Sequence, residues 1–380
     1  MTTDIRPYRI DIPQADLDDL RGRLAATRWP ADVPGVGWTR GVPVPYLTEL
    51  AAYWAGGFDW RTQEAGLNAY PHFMTSVDGQ DIHFVHVRSG RPDALPLLAV
   101  HGWPSSFVEF IRIVEPLRSD FDLVIPSVPG FGFSTPLSGP GWGNLFRVAG
   151  AFGELMTRLG YDRYATLGGD LGAGIIGMLA AIEPHRVVGT YVTGPVPFPF
   201  GPPVDLDGLD GSDRLRAERF NDFQADGLGY LHLQSTRPQT LAYSLTDSPV
   251  GQLAWIVEKF REWTDPAADL PEDAVDRDQL LTVASVYWFT GSGASSAHVT
   301  YEGMQAFREY VARTGGAAAA PDPAAPPMGV GVFAGDNSVR AVLDPDRSIA
   351  HWAEFDRGGH FPAMEVPDLL AGDVRRFYGR

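Results

Sequence analysis

The chain of 380 residues contains no cysteine. That absence excludes disulfide scaffolds, cysteine-based zinc sites, iron–sulfur clusters and thiol nucleophiles. Basic residues are scarce: 30 Lys and Arg stand against 47 Asp and Glu, a formal charge of −17 with a pI near 4.8. Such a surface repels polyphosphate and anionic lipid, so neither nucleic acid nor a membrane is expected as a partner. No apolar run reaches the roughly 18 residues that a membrane-spanning helix needs. Residues 1–11 (MTTDIRPYRID) show no basic stretch followed by an apolar one, so no secretory signal is read there and a cytoplasmic location is expected. What is present is ordinary globular material, 44% apolar and 20% charged, with no internal repeat.

Hydrophobic rhythm divides the chain. Residues 1–78 read as a helical extension: Pro13 suits a first helical turn, and Leu17, Leu20 and Leu24 repeat at helical spacing until Trp29-Pro30. Further helices are expected over 46–54 and 60–70. From Asp81 strands alternate with helices, as in DIHFVHV (81–87), PLLAV (96–100), RYATLGGD (163–170) and RVVGTYVTG (186–194). That alternation implies an α/β fold with a mostly parallel sheet covered on both faces. After Gly194 comes a Pro/Gly-rich acidic loop and then a mostly helical insertion, giving a lid over 199–305. Asp205, Asp207, Asp210 and Asp213 read as a solvated acidic loop, because Leu209 falls where a calcium loop needs a ligand and no glutamate closes the pattern. The core is expected over 79–198 and 306–380, with a surface connection at 314–329.

The segment Leu167-Gly168-Gly169-Asp170-Leu171-Gly172 carries the strongest chemical signal. It joins an expected strand to an expected helix, and Gly-x-Asp-x-Gly has the form of a nucleophile elbow with aspartate in place of serine. The alternative is that Asp170 merely caps the helix. His101-Gly102-Trp103-Pro104 ends another strand where an oxyanion hole would be built, with the N–H groups of Trp103 and Leu171 as donors. His360, flanked by glycines in RGGHF, follows the last strand and is the candidate base. Asp336 lies 24 residues before it and is the preferred acid partner, with Asp344 and Asp346 as rivals in a polar turn.

Together these segments resemble the epoxide hydrolases of the α/β-hydrolase superfamily, in particular the microsomal-type branch. The resemblance spans almost the whole chain, from RPYRIDIPQADLDDLRGRLAATRWP through HGWPSSFVEF, PGFGFS, GGDLG and QSTRPQTLAYSLTDSPVGQLAWIVEKFREWTD to GGHFPAMEVPDLL. Bacterial members of similar length are associated with enediyne natural-product pathways. The resemblance implies a covalent Asp170 ester, hydrolysed by water that His360 and Asp336 activate. It further implies two lid tyrosines that protonate the ring oxygen, matched by Tyr230 and Tyr301, with Tyr287 and Tyr243 assigned to the core. No cofactor is called for. The expected partners are a small-molecule epoxide and water, a homodimer is the assembly to test, and Trp103 and Phe131 suggest an apolar substrate pocket. A haloalkane dehalogenase would share the Asp and His, and a catalytically silent ligand-binding protein would share the fold; an esterase is disfavoured because the elbow lacks serine.

Overall fold

The computed structural model describes residues 4–197, 199–314 and 324–380. Most of the 314–329 connection therefore lies outside the described residues. Among the described residues nine strands form one sheet: β1 (Arg6–Tyr8), β2 (His72–Val77), β3 (Gln80–Val87), β4 (Leu95–Val100), β5 (Phe121–Pro126), β6 (Tyr164–Gly169), β7 (Val187–Thr193), β8 (Met328–Val332) and β9 (His351–Glu354). Their order is β1-β2-β3-β5-β4-β6-β7-β8-β9. The pairs from β1 to β5 are antiparallel and those from β5 to β9 parallel. Leu97, Leu98, Ala99 and Val100 of β4 are wholly buried, as expected of a central parallel strand with helices on both faces. The register sets Val100 beside Gly168, which brings the ends of β4 and β6 to the same edge. In open parallel sheets that carboxyl edge is where ligands bind.

The N-terminal extension is helical over Gln14–Ala25, Val44–Gly56 and Trp60–Leu67, with Leu17, Leu20 and Leu24 buried as their spacing predicts. It is not wholly helical, because β1 and β2 extend the sheet. Its helices also bond to the insertion. Tyr46 donates to Glu272 at 2.7 Å, Tyr53 to Asp278 at 2.8 Å and the Trp54 indole to Ser285 at 2.9 Å.

Between β7 and β8 the chain forms helices that include Gly211–Asp222, Gly229–Gln234, Pro249–Trp263, Arg277–Thr290 and Ser292–Thr314. Prolines open three helices of this insertion at positions where their missing N–H costs nothing, Pro238, Pro249 and Pro271. The helix Ser292–Thr314 runs without a break across residue 305, so the expected border between lid and core falls inside one helix. Asp213 is not simply solvated: its carboxylate accepts the N–H groups of Arg340 and Ala341, each at 2.9 Å, and so caps a turn after β8. Tyr243, expected in the core, is 71% exposed. Tyr287 is in the core and donates to the Ser105 carbonyl at 2.8 Å. No described helix is long and apolar enough to cross a membrane.

Candidate active site

Asp170 opens the helix Asp170–Ile182 directly after β6 and takes φ +52°, the left-handed region that side-chain-bearing residues rarely adopt. Such a backbone persists only where its surroundings enforce it. Here glycines do so by letting backbones meet. A Cβ on Gly172 would overlap the Val100 carbonyl, one on Gly169 the Thr193 hydroxyl, and one on Gly102 the Asp170 side chain itself. With that space open, Asp170 Oδ1 accepts the Trp103 N–H at 2.9 Å. Leu171 lines the same cavity from the first turn of the helix, where N–H groups have no intrahelical acceptor. The helix N-terminus adds positive potential at the carboxylate.

The other oxygen of Asp170 faces the imidazole: His360 Nε2 lies 3.8 Å from Oδ2. His360 is held through its main chain, whose N–H donates to the Trp263 carbonyl at 2.7 Å. Gly359 makes that approach feasible, since a Cβ there would overlap the same carbonyl. Burial lowers the His360 pKa below its usual value, and the negative charge of Asp170 opposes that shift.

Asp336 follows β8 and is buried. Its Oδ2 accepts the Phe333 N–H at 2.7 Å. Burial raises its pKa to about 7, against the Phe333 N–H and the charges of Arg216 and Arg219. Gly335 N–H donates to the Gly358 carbonyl at 2.9 Å, so the loops of Asp336 and His360 are tied together. Both residues line one cavity, yet no hydrogen bond or ion pair joins them among the described residues. The rival Asp344 is spent elsewhere, on Arg340 and on the Ser348 and Ile349 N–H groups. The other rival, Asp346, is exposed.

These residues stand in a cavity of about 790 Å³ between the sheet edge and the insertion, lined also by Trp103, Tyr230, Trp263, Val299 and Met304. Tyr230 lies face to face with Trp103, ring centroids 4.9 Å apart and planes 7° apart, and edge-on to Trp263. Burial raises its pKa, helped by the charges of Asp170 and Glu262, so the phenol keeps its proton at neutral pH. Its hydroxyl has no hydrogen-bond partner among the described residues.

Two expected site residues are elsewhere. Phe131 is wholly buried and packs edge-on against His101 and Tyr287, a core position away from the cavity lining. Tyr301 belongs to the helix Ser292–Thr314, but that helix lines the cavity with Val299, Thr300, Gly303, Met304 and Phe307. Successive helical residues are about 100° apart, and this rotation places Thr300 on the cavity face and Tyr301 off it. Sequence reasoning also missed Gln234, which lines the cavity and is buried. Its signal was present: it lies four residues after Tyr230, on the same helix face.

The chain is similar to known proteins along nearly its whole length. A family model described as "Epoxide hydrolase N terminus" matches residues 5–110, and one described as "alpha/beta hydrolase fold" matches 96–262. A protein of Stigmatella aurantiaca, provisionally named an epoxide hydrolase, is 40% identical over 98% of this chain and 84% of its own. Epoxide hydrolase 1 of Sus scrofa is 34% identical over 99% of this chain and 88% of its own. The crystal structure of juvenile hormone epoxide hydrolase from Bombyx mori superposes with a TM-score of 0.82 at 30% identity, covering 100% of this chain and 94% of that one.

Proposed function

Because the chain belongs to the epoxide hydrolase family and has its α/β-hydrolase fold, we propose that it converts an epoxide to a vicinal diol through an ester on Asp170. The observation that carries this reading is the division of labour between the two carboxylate oxygens: Oδ1 is held by the Trp103 N–H at 2.9 Å, and Oδ2 is left to the cavity beside His360.

Oδ2 attacks the less hindered ring carbon, and the carbon–oxygen bond of the strained ring breaks. The departing oxygen takes the proton of the Tyr230 phenol, since a free alkoxide leaves poorly. Oδ1 is then the ester carbonyl, already in contact with a backbone donor. His360 Nε2 removes a proton from water, whose oxygen attacks the Asp170 Cγ. The oxyanion on Oδ1 is stabilised by the Trp103 and Leu171 N–H groups, each worth roughly 3–4 kcal/mol in comparable sites. Collapse breaks the bond from Cγ to Oδ2, the imidazolium gives its proton to the leaving diol, and the proton that the water oxygen carries onto the Asp170 carboxyl returns through solvent to the Tyr230 phenolate, which restores both groups. Asp336 is the acid we assign to stabilise that imidazolium, on the strength of its burial and its tie to the His360 loop.

Single turnover in oxygen-18 water tests the route, because water oxygen must enter Asp170 while an Asp170 oxygen leaves in the diol. Label appearing directly in the diol, with Asp170 unlabelled, would refute it. The indole and aliphatic walls favour an aryl-bearing epoxide. The sequence resemblance adds an enediyne-type epoxide to the substrate panel, and sedimentation velocity tests the expected homodimer.

A further inference from the structure

With Tyr301 outside the cavity, Tyr230 is the one tyrosine among the described residues lining it. A ring oxygen has two lone pairs and gains from a second donor. The direction of the hydrogen bonds around Gln234 identifies one. The Trp255 indole nitrogen can only donate, and it lies 3.1 Å from Gln234 Oε1. That contact fixes the amide, so Gln234 Nε2 faces Thr300 Oγ1 at 3.4 Å. The single hydroxyl proton of Thr300 goes to the Ser296 carbonyl at 3.0 Å. Thr300 therefore has no proton to offer a ligand, whereas one N–H of the Gln234 amide has no acceptor among the described residues. Gln234 is 1% exposed and lines the cavity, and a buried donor without an acceptor is costly.

Resting on the epoxide-opening reading above, we propose that the free Gln234 N–H is the second donor to the epoxide oxygen, beside the Tyr230 phenol one helical turn earlier. It takes the place of a second phenol by hydrogen bonding alone. The proton that ends on the product hydroxyl still comes from Tyr230, because an amide holds its own.

The test is ester formation on a His360→Gln background, with styrene oxide as the probe and rapid quench followed by intact-protein mass. Gln234→Met, which keeps the volume and removes the donor, is expected to slow ester formation about tenfold to a hundredfold. Gln234→Glu separates donation from packing. Its carboxyl retains an acceptor for Trp255 but donates only when protonated, so ester formation is expected to be retained at acid pH and to fall as the new carboxyl ionises. Asp170, Asp222, Tyr230, Glu262, Asp336, Arg219 and Arg261 also line this cavity, so the parent with Gln234 intact is profiled in parallel and only the added dependence is read. Formation at the parent's rate in Gln234→Met, or a Gln234→Glu profile identical to the parent's, overturns the proposal. If the parent itself forms no ester, the Asp170 reading falls first and takes this inference with it; the mass spectrum distinguishes the two failures.

Discussion

Replacing Gly102 by alanine adds one methyl group at the point where the Trp103 loop meets the side chain of Asp170, the proposed nucleophile. Gly102 is not among the positive-φ glycines, so its backbone accepts a side chain without strain. The obstacle is local. The new Cβ would overlap Asp170 Cβ and Oδ1 and stand 2.8 Å from Cγ. Ordinary carbon contacts need about 3.5 Å or more, so the carboxylate must shift by something approaching 1 Å. A misplacement of about 1 Å costs on the order of a hundredfold in rate. The same shift breaks the 2.9 Å bond from the Trp103 N–H, and losing one oxyanion donor costs roughly 10²–10³ in kcat. The two effects share one cause and do not multiply, so kcat is expected to fall about 10²–10³-fold. Steady-state diol formation measures the loss, and circular dichroism melting establishes that the variant is folded. A folded Gly102→Ala enzyme with turnover near that of the parent would refute the account of how Asp170 is held.

His360→Gln should accumulate the ester, seen as a mass increase equal to that of the epoxide; unmodified protein after exposure to substrate would contradict the two-step scheme. Tyr301→Phe should leave kcat and KM unchanged, because the phenol lies off the cavity, and a large loss in either constant would restore it to the site. Burial lowers the His360 pKa and the Asp170 charge opposes this; ester formation removes that charge, so the acid limb of ester hydrolysis should lie below the ordinary histidine value of about 6.5, as a pH profile of ester decay will show. Buried Glu109 has its pKa raised to about 8, mainly by desolvation. The folded state then holds a proton that the unfolded state has released, so stability should decline between about pH 4.5 and 8, by at most about 1.4 kcal/mol per pH unit for this group. Glu109→Gln should remove that share of the slope in urea melts, and an unchanged slope would exclude it.

The turn that carries Asp170 was legible in sequence because glycine spacing is a direct imprint of backbone geometry. Gly168 and Gly172 open the close approaches of strand and helix, Gly169 clears the Thr193 hydroxyl, and Gly359 reflects the passage of the chain beside the Trp263 carbonyl. Helical phase was less legible. Nothing in a 23-residue helix announces which of two neighbours turns inward, so Tyr301 stood out as the chemically attractive residue while Thr300 reached the cavity. Phe131 illustrates a related ambiguity: an aromatic beside a glycine turn suits a pocket wall and a core equally, and packing against His101 decided for the core. The edge strand β1 escaped notice because three residues carry too little pattern to separate pairing from coil. The direction of hydrogen bonds at Gln234 depends on Trp255 and Thr300, far apart in the chain, and only folding brings them together.

In the proposed scheme Trp103 serves the two half-reactions with different parts of itself. Its main-chain N–H belongs to the carboxylate, and its indole forms the shelf on which the Tyr230 ring lies. Every amino acid except proline supplies the first, while the second varies with the side chain. A library restricted to position 103 would therefore retune how the proton donor is seated while the ester-cleaving apparatus stays constant, which makes this one codon a natural starting point for redirecting selectivity.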